Sequence, residues 1–310
     1  MRPYASPWIA PALVGAALAA GVYVVAVLDQ LLAAWVSGAP TQTGRALLAP
    51  IRRTAVLLLQ RRSDTERPDA EAWALAPALL AGLAAAGLAV VPLDRDLAAA
   101  DAAAGFVLFA ASVAFVMVAV FLHGWSANST FSVLGGYRFV AQALSYQIPF
   151  LLALLATALP AESLAVGDIV ESQRSLWNVV RQPLGLPLYL VVGIGVTFWG
   201  PLNLPDSADL AGGTTLEVSG TPLLLWRVAR AAMLVAVAAM GAAAFLGGWL
   251  GPWLPGPLWV VLKTLLLLMV LVAARHLLAR VRLERFVVVA WTLLIPLALV
   301  DVFVSGVFLL

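Results

Sequence analysis

Apolar residues along the chain fall into long, nearly uninterrupted runs separated by short polar gaps. Because the hydrocarbon core of a bilayer is about 30 Å thick, roughly 20 consecutive apolar residues in a helix cross it. Runs of that order cover 8–36, 72–93, 102–124, 136–159, 184–202, 222–249, 257–279 and 286–309. They are continuous and rich in Leu, Ala and Val, without the short alternating segments of a barrel, so each predicts a helix. The pattern predicts an all-α integral membrane protein, one polytopic domain over 1–310 with eight transmembrane helices. The first run is too long for the apolar core of a signal peptide and has no basic segment ahead of it beyond Arg2, so it is expected to remain as a span.

Two of the polar gaps carry their own pattern. In 44–62, Leu47, Leu48, Ile51, Ala55, Leu58 and Leu59 fall near one helical face, with Arg45, Arg52 and Arg53 off it. That predicts an amphipathic helix on the cytoplasmic membrane surface, or a basic flank that only fixes topology. The gap 203–221 holds Asp206, Asp209 and Glu217 and predicts an acidic cytoplasmic loop. No internal repeat is evident, which weighs against a stand-alone transporter built from inverted repeats.

Composition sharpens this picture. With 63% hydrophobic and only 11% charged residues, the chain cannot cover a soluble protein's surface, so a soluble enzyme is excluded. Net charge is +2, and the 18 cations cluster in a few gaps, a membrane-topology signature with no sign of nucleic-acid binding. If spans alternate, 13 arginines fall in the gaps on one side and four on the other. The positive-inside rule makes the first side cytoplasmic and puts both termini on the non-cytoplasmic side. There is no Cys, so this chain ligates no iron–sulfur cluster through thiolates, and His123 and His276 are too far apart for a local metal motif.

Charged groups inside spans are costly unless paired or hydrated, and each is a candidate for function. Asp29 lies near the cytoplasmic end of the first span, Arg138 opens the fourth, Arg227 and Arg230 open the sixth, Lys263 lies in the seventh and Asp301 in the eighth. Lys263 and Asp301 form a candidate pair, as a structural ion pair or a proton relay. Arg275 and Arg280 end the seventh span and are expected to snorkel. Arg138, Gln142, Ser145, Tyr146 and Gln147 are expected to line one polar stripe, a candidate passage. A chain of buried carboxylates, the signature of a proton path, is missing, and that weighs against independent proton pumping.

Three segments carry a resemblance. The first runs from Gly124-Trp125-Ser126 through Gly135-Gly136-Tyr137-Arg138 to Ser145-Tyr146-Gln147. The second contains Asp168-Ile169-Val170-Glu171, Trp177-Asn178, Gln182-Pro183-Leu184-Gly185, Pro201-Leu202-Asn203-Leu204-Pro205 and Glu217-Val218-Ser219-Gly220. The third contains Phe245-Leu246-Gly247-Gly248-Trp249, Pro255-Gly256-Pro257-Leu258-Trp259, Leu262-Lys263-Thr264, Arg275, Arg280, Arg282 and Trp291. Together they resemble subunit 1 of respiratory complex I (NADH-quinone oxidoreductase), the bacterial H subunit, as a divergent member. That family is also related to the membrane anchor subunits of group 4 hydrogenases.

The resemblance implies eight spans in a bacterial-type cell membrane. It implies a subunit with no redox centre of its own, sharing quinone as substrate with partners that hold the iron–sulfur clusters, and assembled with other membrane-arm and peripheral subunits. It implies a quinone-site border at Asp29, Asp206, Asp209 and Glu217, with matches at Arg138 and Lys263. Departures are equally specific: Gln147, Val196 and Arg230 stand where the family carries Glu, Asn203 stands for an Asp, and Arg53 and Val56 replace an Asp and a Lys. Gln cannot exchange a proton at accessible pH, and Val can neither exchange one nor hydrogen-bond, so the chain's own proton path is expected to be impaired. Arg230 reverses the charge and is expected to favour anions nearby. A structural anchor without quinone chemistry and a hydrogenase anchor remain as alternatives.

Overall fold

The computed structural model describes residues 9–38, 43–63, 65–95, 97–100, 102–206 and 212–307. The elements in chain order are α1 (Ile9–Ser37), α2 (Thr43–Leu59), α3 (Ala70–Ala89), α4 (Gly105–Ser126), α5 (Thr130–Ala158), α6 (Val166–Glu171), α7 (Asn178–Arg181), α8 (Gly185–Val196), α9 (Gly220–Phe245), α10 (Gly256–Leu277), α11 (Leu283–Val289) and α12 (Ile295–Val307). A π-helical turn, Ala290–Leu294, joins the last two into one rod, Leu283–Val307. No strand forms among the described residues.

Seven helices among the described residues are long and apolar enough to cross a membrane: α1, α3, α4, α5, α9, α10 and the α11–α12 rod. The eighth expected span, 184–202, is different. Its helix, α8, has 12 residues, about 18 Å at 1.5 Å per residue and well short of a bilayer core. It stops because Phe198 and Gly200 take positive φ (40° and 54°). Gly200 is also pressed against α10, where a β-carbon would meet the Arg275 backbone at 3.0 Å, so only glycine fits the turn. That contact brings the end of α8 and the end of α10 together.

α9 is the central post. Its alanines, including Ala232, Ala236, Ala239 and Ala243, are buried, and α1, α3, α8 and α10 pack around it. Without a hydrophobic drive between helices in lipid, small residues that permit close approach are what hold such a bundle together. Gly241 receives the ring of Tyr189 from α8, and the Tyr189 hydroxyl donates to Val237 O at 2.7 Å. α5 packs against α4, α8 and α12.

The Arg-rich end of the bundle is tied by polar contacts. Asp69 caps α3, accepting from Ala72 N at 3.0 Å. The Tyr23 hydroxyl of α1 donates to Leu47 O of α2 at 2.7 Å, and Ser63 N donates to Ser219 Oγ at 2.7 Å. α2 ends at Leu59, three residues before the expected 62. Its Leu47, Leu48, Ile51, Leu58 and Leu59 are exposed. The described part of the acidic loop, 203–206 and 212–219, lies against the start of α5. There Gly135 lets the Thr214 amide and the Pro205 carbonyl approach to where a β-carbon would meet them at 2.6 and 2.7 Å.

Candidate functional site

α1, α2, the segment after α8, the start of α9 and the end of α10 enclose a cleft of about 1020 Å3. Asp29, Asp206, Arg230 and Arg275 all line it, with Trp199 and Asn203. Tyr23, Val22, Ala26, Ile51 and Leu58 add a mostly apolar wall.

The deepest charge in it is Arg230. α8 stops at Val196, and the carbonyls of the two residues after it, Thr197 and Phe198, have no helical partners. Arg230 supplies the donors: Nε to Thr197 O at 3.2 Å and Nη2 to Phe198 O. A cation at a helix C-terminus also meets the negative end of the helix dipole. The guanidinium lies 4.7 Å from the Phe198 ring centroid and 4.8 Å from that of Trp199. Its charge is balanced by Asp206, whose Oδ2 lies 2.7 Å from Nη1 with both side chains nearly buried. The Thr215 hydroxyl also donates to Asp206, and the Asn203 amide donates to the Asp206 carbonyl at 3.2 Å. Arg230 thus draws a carboxylate from the acidic loop onto the end of α8.

A second pair also stands at Trp199. Asp29 Oδ2 is 3.1 Å from Arg275 Nη1, and Oδ1 is 2.9 Å from His276 Nε2. Arg275 also lies over the Trp199 ring, at 5.4 Å. One indole therefore contacts two guanidiniums, each paired with a carboxylate. Such a site offers hydrogen-bond donors and an aromatic face at one end and aliphatic walls at the other, which suits an amphipathic ring with a long apolar tail.

Of the expected border residues, Asp29 and Asp206 line the cleft together. Glu217 does not: it accepts from the Ser129 hydroxyl at 3.1 Å, tying the loop to the start of α5. Asp209 lies outside the described residues. Arg138 Nη1 donates to Gly212 O at 3.1 Å and clamps the same loop. Gln142 Nε2 donates to Gly195 O at 2.8 Å, and the fully buried Tyr146 packs its ring against Gly195. Arg138, Gln142 and Tyr146 thus share one face of α5. Gln147 is half-buried and stands about 140° around the helix from Gln142 at 100° per residue, off the expected stripe.

The expected pairing of Lys263 with Asp301 does not form. Lys263 Nζ donates to Gly248 O at 2.9 Å and Leu250 O at 2.6 Å, carbonyls left open where α9 ends, and lies 4.4 Å from the Trp177 ring centroid. Asp301 is buried beside Gly185, where a β-carbon would come within 2.9 Å of its Oδ2. Arg275, expected only to snorkel, is instead a member of the cleft.

The model of the NADH dehydrogenase family matches residues 9–306. This chain belongs to that family. One H subunit of NADH-quinone oxidoreductase from Rhodopseudomonas palustris strain HaA2 is 35% identical to it over 249 residues, covering 79% of this chain and 78% of that protein. The H subunit of the same oxidoreductase in Geobacillus kaustophilus strain HTA426 is 32% identical over 276 residues, or 86% and 83%. An H subunit from Cereibacter sphaeroides strain ATCC 17029 is 35% identical over 255 residues, or 82% and 80%. The resemblance to the complex I family carried by the three sequence segments is therefore a family relationship spanning nearly the whole chain. Arg230 and the groups it contacts lie within the matched region.

Proposed function

We propose that this chain is a membrane-arm subunit of a complex I-like NADH-quinone oxidoreductase, assembled with other membrane-arm subunits and with peripheral subunits that hold the iron–sulfur clusters. In this reading it anchors the peripheral arm through the Arg-rich end, which faces the cytoplasm, with both termini on the opposite side of a bacterial cell membrane. It borders the quinone site and supplies no redox centre of its own.

The observation that carries the reading is the cleft in which Trp199 contacts both the Asp29–Arg275 and the Asp206–Arg230 pair. The aliphatic wall accommodates a quinone tail, and the paired arginines and Trp199 meet the ring. Arg230 and Arg275 stabilise negative charge that develops on a quinone oxygen during reduction, since fixed cations in a low-dielectric site act most strongly where charge appears. Asp29 and Asp206 hold those cations in place.

The same residues support an impaired proton path. Arg230 is fixed by one carboxylate, two carbonyls and two aromatic rings and cannot serve as a proton carrier at accessible pH. Val196 is fully buried, and the adjacent Gly195 is sealed against Tyr146 and latched by Gln142. That seam favours the second reading, a structural anchor, only if quinone turnover is absent. The test is to restore acid at two positions in the assembled complex, Gln147→Glu and Val196→Glu, and measure protons moved per quinone reduced. A raised ratio with unchanged assembly supports an impaired path in the native chain; an unchanged ratio with normal coupling in the parent complex refutes it.

A further inference from the structure

Asp301, in the α11–α12 rod, is an acid that nothing in the bundle answers. It is 1% exposed, and neither carboxyl oxygen has a hydrogen-bond partner among the described residues. No ion pair reaches it there: Lys263 is committed to the Gly248 and Leu250 carbonyls, and the Tyr189 hydroxyl of α8 donates to Val237 O. The Gly185 amide beside it donates instead to Gln182 O at 3.1 Å. An ionised carboxylate buried without a donor or a counter-ion is costly, and the group avoids that cost by keeping its proton.

The neighbouring side chain supplies an acceptor for such a proton. Gln182 Nε2 donates to Ala156 O and, at 3.0 Å, to Ser305 Oγ, while the Ser305 hydroxyl donates to Ala156 O at 2.9 Å. A carbonyl only accepts, and Ser305 has its one proton on that carbonyl, so both groups must face the amide nitrogen and the amide oxygen turns the other way. Gln182 Oε1 is likewise buried without a partner among the described residues. It and Asp301 Oδ2 converge on Gly185, at 3.3 and 2.9 Å from where a β-carbon would stand, and the Phe245 ring closes the same space at 2.8 Å. Two acceptors packed against one glycine with no donor between them lack one proton.

We propose that Asp301 is a proton-binding site, in which the carboxyl group carries the proton and donates it to Gln182 Oε1. The site lies at the start of α8, whereas the cleft lies beyond its end at Val196. Pro183, next to Gln182, is exposed, so the site is one residue from the surface at the end of the bundle away from the cleft, and its proton exchanges with solvent on that side. This binding stands independently of what the cleft takes.

The test is infrared difference spectroscopy on the full chain in detergent at neutral pH. The parent chain is expected to show a protonated-carboxyl carbonyl band that moves on isotopic labelling of the aspartate side chains and shifts in heavy water. Asp301→Asn, whose amide can donate to Gln182 Oε1 in place of the acid, loses the whole band. If that variant fails to fold, the labelled parent carries the test alone, because Asp29, Asp69, Asp94, Asp168 and Asp206 each have a partner that Asp301 lacks. Absence of a protonated-aspartate band, a band retained in D301N, or a band unmoved by heavy water overturns the site. A band that sodium chloride removes assigns the oxygens to a sodium ion, and overturns it as well.

Discussion

Replacing Asp206 by Asn removes the carboxylate that pairs with the buried Arg230 guanidinium while keeping the side chain's shape and its ability to accept from Thr215. Both partners are nearly buried, at 9% and 13% side-chain exposure, so solvent does little to replace the lost charge. Breaking a buried pair by removing one partner costs about 3–5 kcal/mol. Arg230 retains two carbonyls and two aromatic faces, which places the cost near the lower end, about 3 kcal/mol. For a chain of this size about 2 °C of melting temperature corresponds to each kcal/mol, so a loss of about 6 °C is expected. The assay is thermal unfolding of the purified full chain in detergent, followed by tryptophan fluorescence. The double variant D206L/R230Q removes both charges and keeps an amide that can donate to the Thr197 or Phe198 carbonyl, so it should recover at least half of that loss, because the buried charge is then gone. A D206N melting temperature within about 1 °C of the parent, or a double variant no better than the single one, would refute the ion-pair argument.

Other substitutions test the remaining geometry. Gly135→Ala forces a β-carbon into the Thr214 amide and Pro205 carbonyl, and should loosen the 203–219 loop at a cost of about 1–3 kcal/mol, read as a lower melting temperature and faster proteolysis of that loop. Lys263→Met leaves two carbonyls at the end of α9 without donors and should cost about 2–3 kcal/mol, whereas a loss under about 0.5 kcal/mol would contradict that role. Asp29→Ala frees the half-exposed Arg275, so stability should fall by no more than about 1 kcal/mol while quinone-linked turnover of the assembled complex falls further; equal loss of assembly and turnover would argue against a site role.

Much of the bundle was legible because lipid imposes one rule on every span: a long apolar run must satisfy its own backbone. The expected 222–249 and 257–279 are found as Gly220–Phe245 and Gly256–Leu277 on that ground alone. Polar stretches were harder. α5 begins at Thr130, six residues before the expected 136, because Thr130-Phe131-Ser132 and Gly135-Gly136 read as a turn while the loop packed on them holds them helical. The shortening of α8 was hidden in an unbroken apolar run, since its stop depends on positive φ at Phe198 and on the approach of α10. In the site, intramembrane charge alone picked out Asp29 and Arg230. Arg275 and His276 meet Asp29 across more than 240 residues of sequence, and nothing local to either segment announces the contact. Lys263 and Asp301 show the converse, opposite charges on spans consecutive in sequence that do not meet: Lys263 settles on the Gly248 and Leu250 carbonyls, and Asp301 is buried beside Gly185.

The most direct measurement is native purification of the tagged chain from its own membranes, with identification of the co-purifying subunits and a quinone reduction assay on the isolated assembly. The account predicts recovery with iron–sulfur subunits and further membrane-arm subunits, together with quinone turnover that falls in the Asp29→Ala complex. Recovery of the chain alone, or of an assembly that does not turn over quinone, would contradict it.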